Sequence, residues 1–291
     1  MYDLRPPKPS RERLPTMYDL PSESPEEPGL PDEYHPAQAQ FLRDTFQSKV
    51  VPPTSTFIGT DLNVYFDSRR TSWYKRPDWF LVLGAAQSET IDEMRWSYVI
   101  WQENVSPFLA VELLSPGTED EDLGQTLRVV GRPPTKWEVY ERILHIPYYV
   151  VFERAAKQLR AFKLNGSRYE ELVLVDSKIW LEEVELGLGV WEGRYQGTHG
   201  KWLRWYEASG DWVLTPQELS VQSQLRAEQE QARAEQEQTR AEQEQARAEQ
   251  EQTRAEQEQA RAEQAESKLE VERSRSHRLM EQLRALGIEP E

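Results

Sequence analysis

The chain contains no cysteine. Disulfides, thiol nucleophiles and cysteine-ligated zinc are therefore excluded. Long apolar runs are also missing: no stretch reaches the ~18 residues that mark a membrane-spanning helix. The opening segment MYDLRPPKPSRERLPTMYDLPSE lacks an apolar centre, so a signal peptide is not expected and a soluble, cytoplasmic protein is. Positive charge is scarce, with 35 Lys and Arg against 51 Asp and Glu and a formal net charge of -16. A broad basic footprint for sequence-independent nucleic-acid binding is absent. A local basic groove beside a bound cation remains compatible with that balance. Aromatic residues stop before Ser220, and all 10 Trp lie between Trp73 and Trp212. The core must lie upstream of the tail.

These shifts divide the chain into three parts. Residues 1–33 are rich in Pro, Ser, Glu and Arg, carry MYDL twice (at Met1 and Met17) and read as a flexible arm. Residues 34–219 read as one α/β domain. A helix is expected near Pro36–Gln47, where Leu42 and Phe46 are spaced for one face. FIGTDLNVYFD reads as one half-buried strand, and RPDWFLVLG and PFLAVELLSP as short apolar strands bounded by Pro or Gly. The stretch from Ala85 to Ser106 reads as a loop or an extra hairpin. TKWEVYERIL reads as a helix capped by Thr135, with Glu138 three residues on. IPYYVVFE follows as a buried strand. QLRAFKLNGSRYEELVLV follows as a hairpin around Asn165-Gly166, and Trp- and Tyr-rich strands continue to Val213.

Residues 220–291 form the third part. RAEQEQA or RAEQEQT repeats five times without a gap from Arg226 to Ala260. The residues are strong helix formers. Arg226 meets Glu230 four positions on, and Glu230 meets Arg233, which predicts a ladder of charge pairs along one stripe. The small apolar residues do not alternate by three and four, so a solvated single helix is favoured over a coiled coil. Leu279, Leu283 and Leu286 form a proper stripe, and that short segment is the better candidate for docking or for homo-oligomerisation through the C-terminal helix.

Two acidic residues carry the chemical argument. Asp78 opens one apolar run and Glu112 lies near the end of the next. Antiparallel pairing of the runs would make the two neighbours. A carboxylate inside an apolar strand is costly unless it is paired or bound to metal. Two such carboxylates can hold a hard divalent cation. A nearby Lys would then steady charge on a phosphate. The bland alternatives are a turn aspartate after Pro77 and an outward-facing glutamate. His35, His145, His199 and His277 show no metal-type spacing and read as structural or exposed. Trp202, Trp205, Tyr206 and Trp212, with Lys201 and Arg204, could stack bases, but core packing is the better reading.

PDWFLVLG, AVELLSPGTEDEDLG and KWEVYERILHIPYYVVFE together resemble the Uma-two family of restriction-endonuclease-type proteins, in the cyanobacterial form with a RAEQ-rich tail. That family belongs to the PD-(D/E)XK nuclease superfamily. The resemblance covers roughly residues 30–220 and implies a mixed sheet flanked by helices, with the long C-terminal helix added. It implies metal ligands at Asp78 and Glu112, an acidic loop at Asp120 or Asp122, and Lys136 and Tyr140 on the following helix. Leu114 stands where the superfamily pattern has Lys, and Lys136 is the candidate substitute. The resemblance further implies a Mg²⁺- or Mn²⁺-dependent endonuclease acting on DNA, with Asp78, Glu112 and Lys136 as catalytic residues. The competing reading is an inactive nuclease fold that serves as a binding or assembly module through its tail.

Overall fold

A computed structural model of the chain describes residues 32–114, 123–124, 133–154 and 156–285. The two MYDL copies, Asp120, Asp122 and Leu286 lie outside the described residues. The chain divides into two compact units, one ending at Gln217 and the other beginning at Glu218.

The first unit is built on a six-stranded mixed sheet in the order β1-β4-β6-β7-β8-β9. Its strands are β1 (Thr56–Thr60), β4 (Trp79–Leu83), β6 (Leu109–Leu114), β7 (Tyr148–Glu153), β8 (Gln158–Asn165) and β9 (Arg168–Glu171). β6 and β7 run parallel, and the other neighbours are antiparallel. A small sheet joins β2 (Val64–Tyr65), β3 (Tyr74–Lys75) and β5 (Tyr98–Val99). A third sheet joins β10 (Lys178–Leu181), β11 (Leu186–Tyr195) and β12 (Thr198–Tyr206). The helices are α1 (Tyr34–Thr45), α2 (Ile100–Glu103) and α3 (Lys136–Glu138), which continues as a π-helical turn at Val139–Ile143. The mixed sheet, the flanking helices and the long C-terminal helix match the α/β architecture expected from the sequence.

Side chains alternate across a strand, so each central strand feeds two cores. Trp79, Leu81, Leu109, Val111 and Leu113 pack with Ala39 and Leu42 of α1 and with Leu188, Leu203 and Trp205 of the third sheet. Phe80, Val82, Ala110 and Leu114 pack on the opposite face with Val139, Tyr140 and Leu144 and with Val64 and Tyr98. Burial on both faces explains why β4 and β6 read as continuous apolar runs. Trp79 and Trp205 are fully buried, each contributing about 1.5–3 kcal/mol or somewhat more. Where β1 crosses β4, Gly59 is required: a Cβ there would run into the Phe80 ring.

Three details differ from the expectations. FIGTDLNVYFD is not one strand. Asp61 takes a left-handed φ of 47° and turns the chain, so β1 and β2 belong to different sheets. Ala85–Ser106 forms no hairpin; its strand β5 pairs in parallel with β2. In the β8–β9 hairpin Asn165 pairs with Arg168, so the loop is Gly166-Ser167, with Gly166 at φ 64°.

α1 is tied to β12 by a device that the sequence does not announce. Gln38 is fully buried. Its Nε2 donates to the Leu203 carbonyl at 2.9 Å, and its Oε1 accepts from the Leu203 N–H at 2.8 Å. The amide thereby replaces a neighbouring strand for one residue of β12. Gln38→Leu would leave both backbone groups unsatisfied, and each such group costs about 1–3 kcal/mol. Urea unfolding should show a loss of about 2–4 kcal/mol.

The second unit is one helix. α4 (Pro216–Ala285) is an unbroken 70-residue helix with no buried residue, about 100 Å long at roughly 1.5 Å per residue. The expected Arg–Glu ladder is largely replaced by amide–carboxylate pairs. Gln231, Gln238, Gln252 and Gln259 each donate to a Glu four residues on. Among the described residues, Arg240–Glu244 at 3.3 Å is the one i,i+4 Arg–Glu bond. Exposed charge and amide partners of this kind stabilise by only a few tenths of a kcal/mol (about 0.2–0.5) per pair.

Candidate functional site

The antiparallel register sets Trp79 against Val111 and Phe80 against Ala110. Asp78 stands one residue before Trp79 and Glu112 one residue after Val111, which brings the two close at the end of the ladder. On the other side of β4, Thr60 pairs with Trp79. The next step sets Asp61 beside Asp78, and the Asp61 N–H donates to the Asp78 carbonyl at 3.2 Å. Asp61 and Asp78, each just beyond an end of its strand, thus lie near Glu112 of β6.

Glu112 has no solvent exposure. An ionised carboxylate in such a place requires charge and hydrogen-bond partners. α3 and its π-helical extension supply two. Lys136 Nζ lies 3.0 Å from Glu112 Oε2. The Tyr140 hydroxyl donates to Oε1 at 2.9 Å. The two donors are four residues apart, one turn along the same helix face. The helix starts where Thr135 Oγ1 accepts from the Glu138 N–H at 3.2 Å, as the cap predicts. It then widens, with Leu144 N–H donating to the Val139 carbonyl at 2.8 Å. π-type turns of this sort recur at functional sites.

Asp78 is partly exposed, with 25% of its side-chain surface accessible. Its Oδ2 accepts from the Leu113 N–H at 2.6 Å, taking the ladder bond that β4 no longer provides beyond Trp79. His35 sits alongside, held by structural contacts. Its Nε2 lies 2.9 Å from the Leu113 carbonyl and 3.9 Å from Asp78 Oδ2. Its Nδ1 lies 2.8 Å from Asp32 Oδ1, and Asp32 also pairs with Arg154 at 3.1 Å.

Burial alone would raise the Asp32 carboxyl. The His35 side-chain bond, the charges of His35 and Arg154 and the His35 N–H outweigh it, and the net displacement is downward from 3.8. A lowered folded pKa stabilises above the unfolded value and is lost as pH falls through the folded one. The melting-temperature difference between wild type and Asp32→Asn should therefore be full near pH 6 and close below about pH 4. A gap unchanged down to about pH 2 would contradict this. Asp61 moves the other way: burial raises its carboxyl, opposed by the charges of Arg76, His35 and Lys136.

Of the sequence candidates, the fold brings Asp78, Glu112, Lys136 and Tyr140 together. Asp120 and Asp122 lie outside the described residues. Asp61, Asp32 and His35 were missed. The first depends on β1 register, and the others on where α1 docks. Trp205 and Arg204 of the aromatic cluster are core: Arg204 is buried and donates twice to the Val213 carbonyl. Hard carboxylate oxygens from Asp78 and Glu112 suit a magnesium- or calcium-like cation rather than a soft metal. Among the described residues no group of three or more His, Asp or Glu is arranged to hold a metal ion. No helix among the described residues is long and apolar enough to cross a membrane.

Comparison with curated proteins returns no match. A family model, Uma2, described as "Putative restriction endonuclease", matches residues 11–192. That span is more than half of the chain and contains Asp78, Glu112, Lys136 and Tyr140, and the family description supports a nuclease-like character. The chain belongs to the Uma2 family.

Proposed function

We propose that this protein is a metal-dependent endonuclease that hydrolyses DNA phosphodiester bonds. The observation that carries the reading is Glu112: a fully buried carboxylate, 3.0 Å from Lys136, next to Leu113, whose N–H donates to Asp78.

Asp78 and Glu112 would hold a Mg²⁺ or Mn²⁺ ion, which when bound supplies an activated water and offsets phosphate charge. The chain's own residues do the rest. The Leu113 N–H fixes one Asp78 oxygen. The Tyr140 hydroxyl and Lys136 ammonium orient the two Glu112 oxygens. Lys136 keeps 22% of its side-chain surface accessible, so the same ammonium can face a phosphate oxygen as negative charge develops there. Its place on a neighbouring helix answers the departure at Leu114, which itself is buried in the core.

The test is direct. Purified full-length protein is incubated with supercoiled plasmid and Mg²⁺ or Mn²⁺, and nicking is followed on a gel. Metal-dependent nicking by the wild type that EDTA stops and Asp78→Asn abolishes supports the proposal. Absence of nicking with either ion, or equal nicking by the variant, rejects it.

A further inference from the structure

A cavity of about 610 Å³ lies between the first half of α1, the segment after β7 and the β11–β12 hairpin. Its size is that of small-ligand sites. Tyr34, Tyr195 and Trp202 contribute aromatic surface, and Arg154, Lys157 and Lys201 contribute charge. The two tyrosines and Trp202 are buried or half-buried, whereas the three cations are exposed. Lys157 and Lys201 have no ion-pair partner among the described residues. Glu33 is the one carboxylate in the lining. In a chain of net charge -16, Lys157 and Lys201, beside an Arg154 paired with Asp32, leave a small local excess of positive charge. Trp202 is 4% exposed, and its Nε1 is buried with no hydrogen-bond partner. That nitrogen lies 3.6 Å from where a Cβ of Gly200 would stand, and Gly200 lines the cavity.

The cavity is joined to the acid pair. Arg154 in its wall binds Asp32, Asp32 binds His35, and His35 lies 3.9 Å from Asp78. Leu114 pairs with Glu153, so Arg154 leaves the sheet at the edge where Glu112 and Leu113 stand.

We propose that this cavity takes one unstacked nucleotide of a DNA strand whose phosphodiester is cut at Asp78 and Glu112. The base lies against Tyr34 and Trp202, and the phosphate lies against Lys157 and Lys201. The inference rests on the nuclease reading and sharpens it, because a base in this cavity has left the duplex. The preferred substrate is therefore single-stranded or locally unpaired DNA. Aromatic floors with flanking cations bind such strands with little sequence preference.

The experiment is fluorescence anisotropy in EDTA, with full-length protein and a fluorescein-labelled oligothymidylate of about eight nucleotides. A blunt duplex of equal length is the comparison. Wild type should bind the single strand more tightly than the duplex. Lys157→Ala/Lys201→Ala should weaken single-strand binding about tenfold and flatten the log–log salt slope by about 1.4. Lys157→Arg/Lys201→Arg should restore both, which a folding defect would not predict. A double-alanine variant that binds like wild type overturns the proposal. So does a duplex bound as tightly as the single strand, or displacement of the oligonucleotide by an equally charged acidic peptide. Lysine-dependent binding without plasmid nicking keeps the cavity and rejects the nuclease reading. Nicking combined with lysine-independent binding does the reverse.

Discussion

Glu112→Gln is expected to lower metal-dependent DNA cleavage about a thousandfold or more while the protein stays folded. The substitution keeps shape and removes one negative charge. A ligand oxygen that supports several kcal/mol of phosphate stabilisation corresponds to roughly three powers of ten in rate. The amide oxygen can still accept from Tyr140, and Lys136 is partly exposed, with 22% of its side-chain surface accessible, so the lost counter-ion is replaced in part by water. Urea unfolding should shift by about 1–2 kcal/mol at most. Single-turnover cleavage with Mn²⁺, measured beside the unfolding curve, separates the two effects. A variant that cuts within about threefold of wild type would end the catalytic claim for Glu112.

The second large effect is Lys136→Ala. It removes the cation from a carboxylate with no solvent exposure, and breaking a buried pair from one side typically costs about 3–5 kcal/mol. Lys136 is not itself fully buried, and Tyr140 still donates to the other Glu112 oxygen, so about 2–4 kcal/mol is the expected loss. The check is a double-mutant cycle. In a Glu112→Gln background the cost of Lys136→Ala should fall below about 1 kcal/mol, because no buried charge is then stranded. Cleavage by Lys136→Ala should drop about a hundredfold, in the range for removing one donor from developing charge. Costs that simply add would show that Lys136 and Glu112 do not act as a pair.

Much of the site could be anticipated because its parts sit on short-range patterns. Asp78 opens one apolar run and Glu112 interrupts another, and charges so placed are visible without coordinates. Lys136 and Tyr140, which the family resemblance marks out, are four apart on a capped helix, so a shared face follows from helical geometry. What could not be anticipated depends on register and docking. Asp61 lies near Asp78 because Thr60 meets Trp79. His35 reaches Leu113 across 78 residues of sequence. Glu141 reads as a helix-surface acid, yet it is buried and accepts the backbone N–H of Tyr169 at 2.9 Å. Trp202 and Trp205 look alike in the sequence. One lines a cavity, and the other donates to the Leu42 carbonyl from the core.

Composition and periodicity were enough to establish the α/β core, the aromatic-free helical tail and the two carboxylates worth following, because each depends on residues within one turn or one strand. The partner of Glu112, the Asp32–His35 support of Asp78, and the cationic cavity beside them were settled only by folding. Each joins segments far apart in the chain, and the energy of bringing them together comes from packing on both faces of one sheet, which no local pattern encodes.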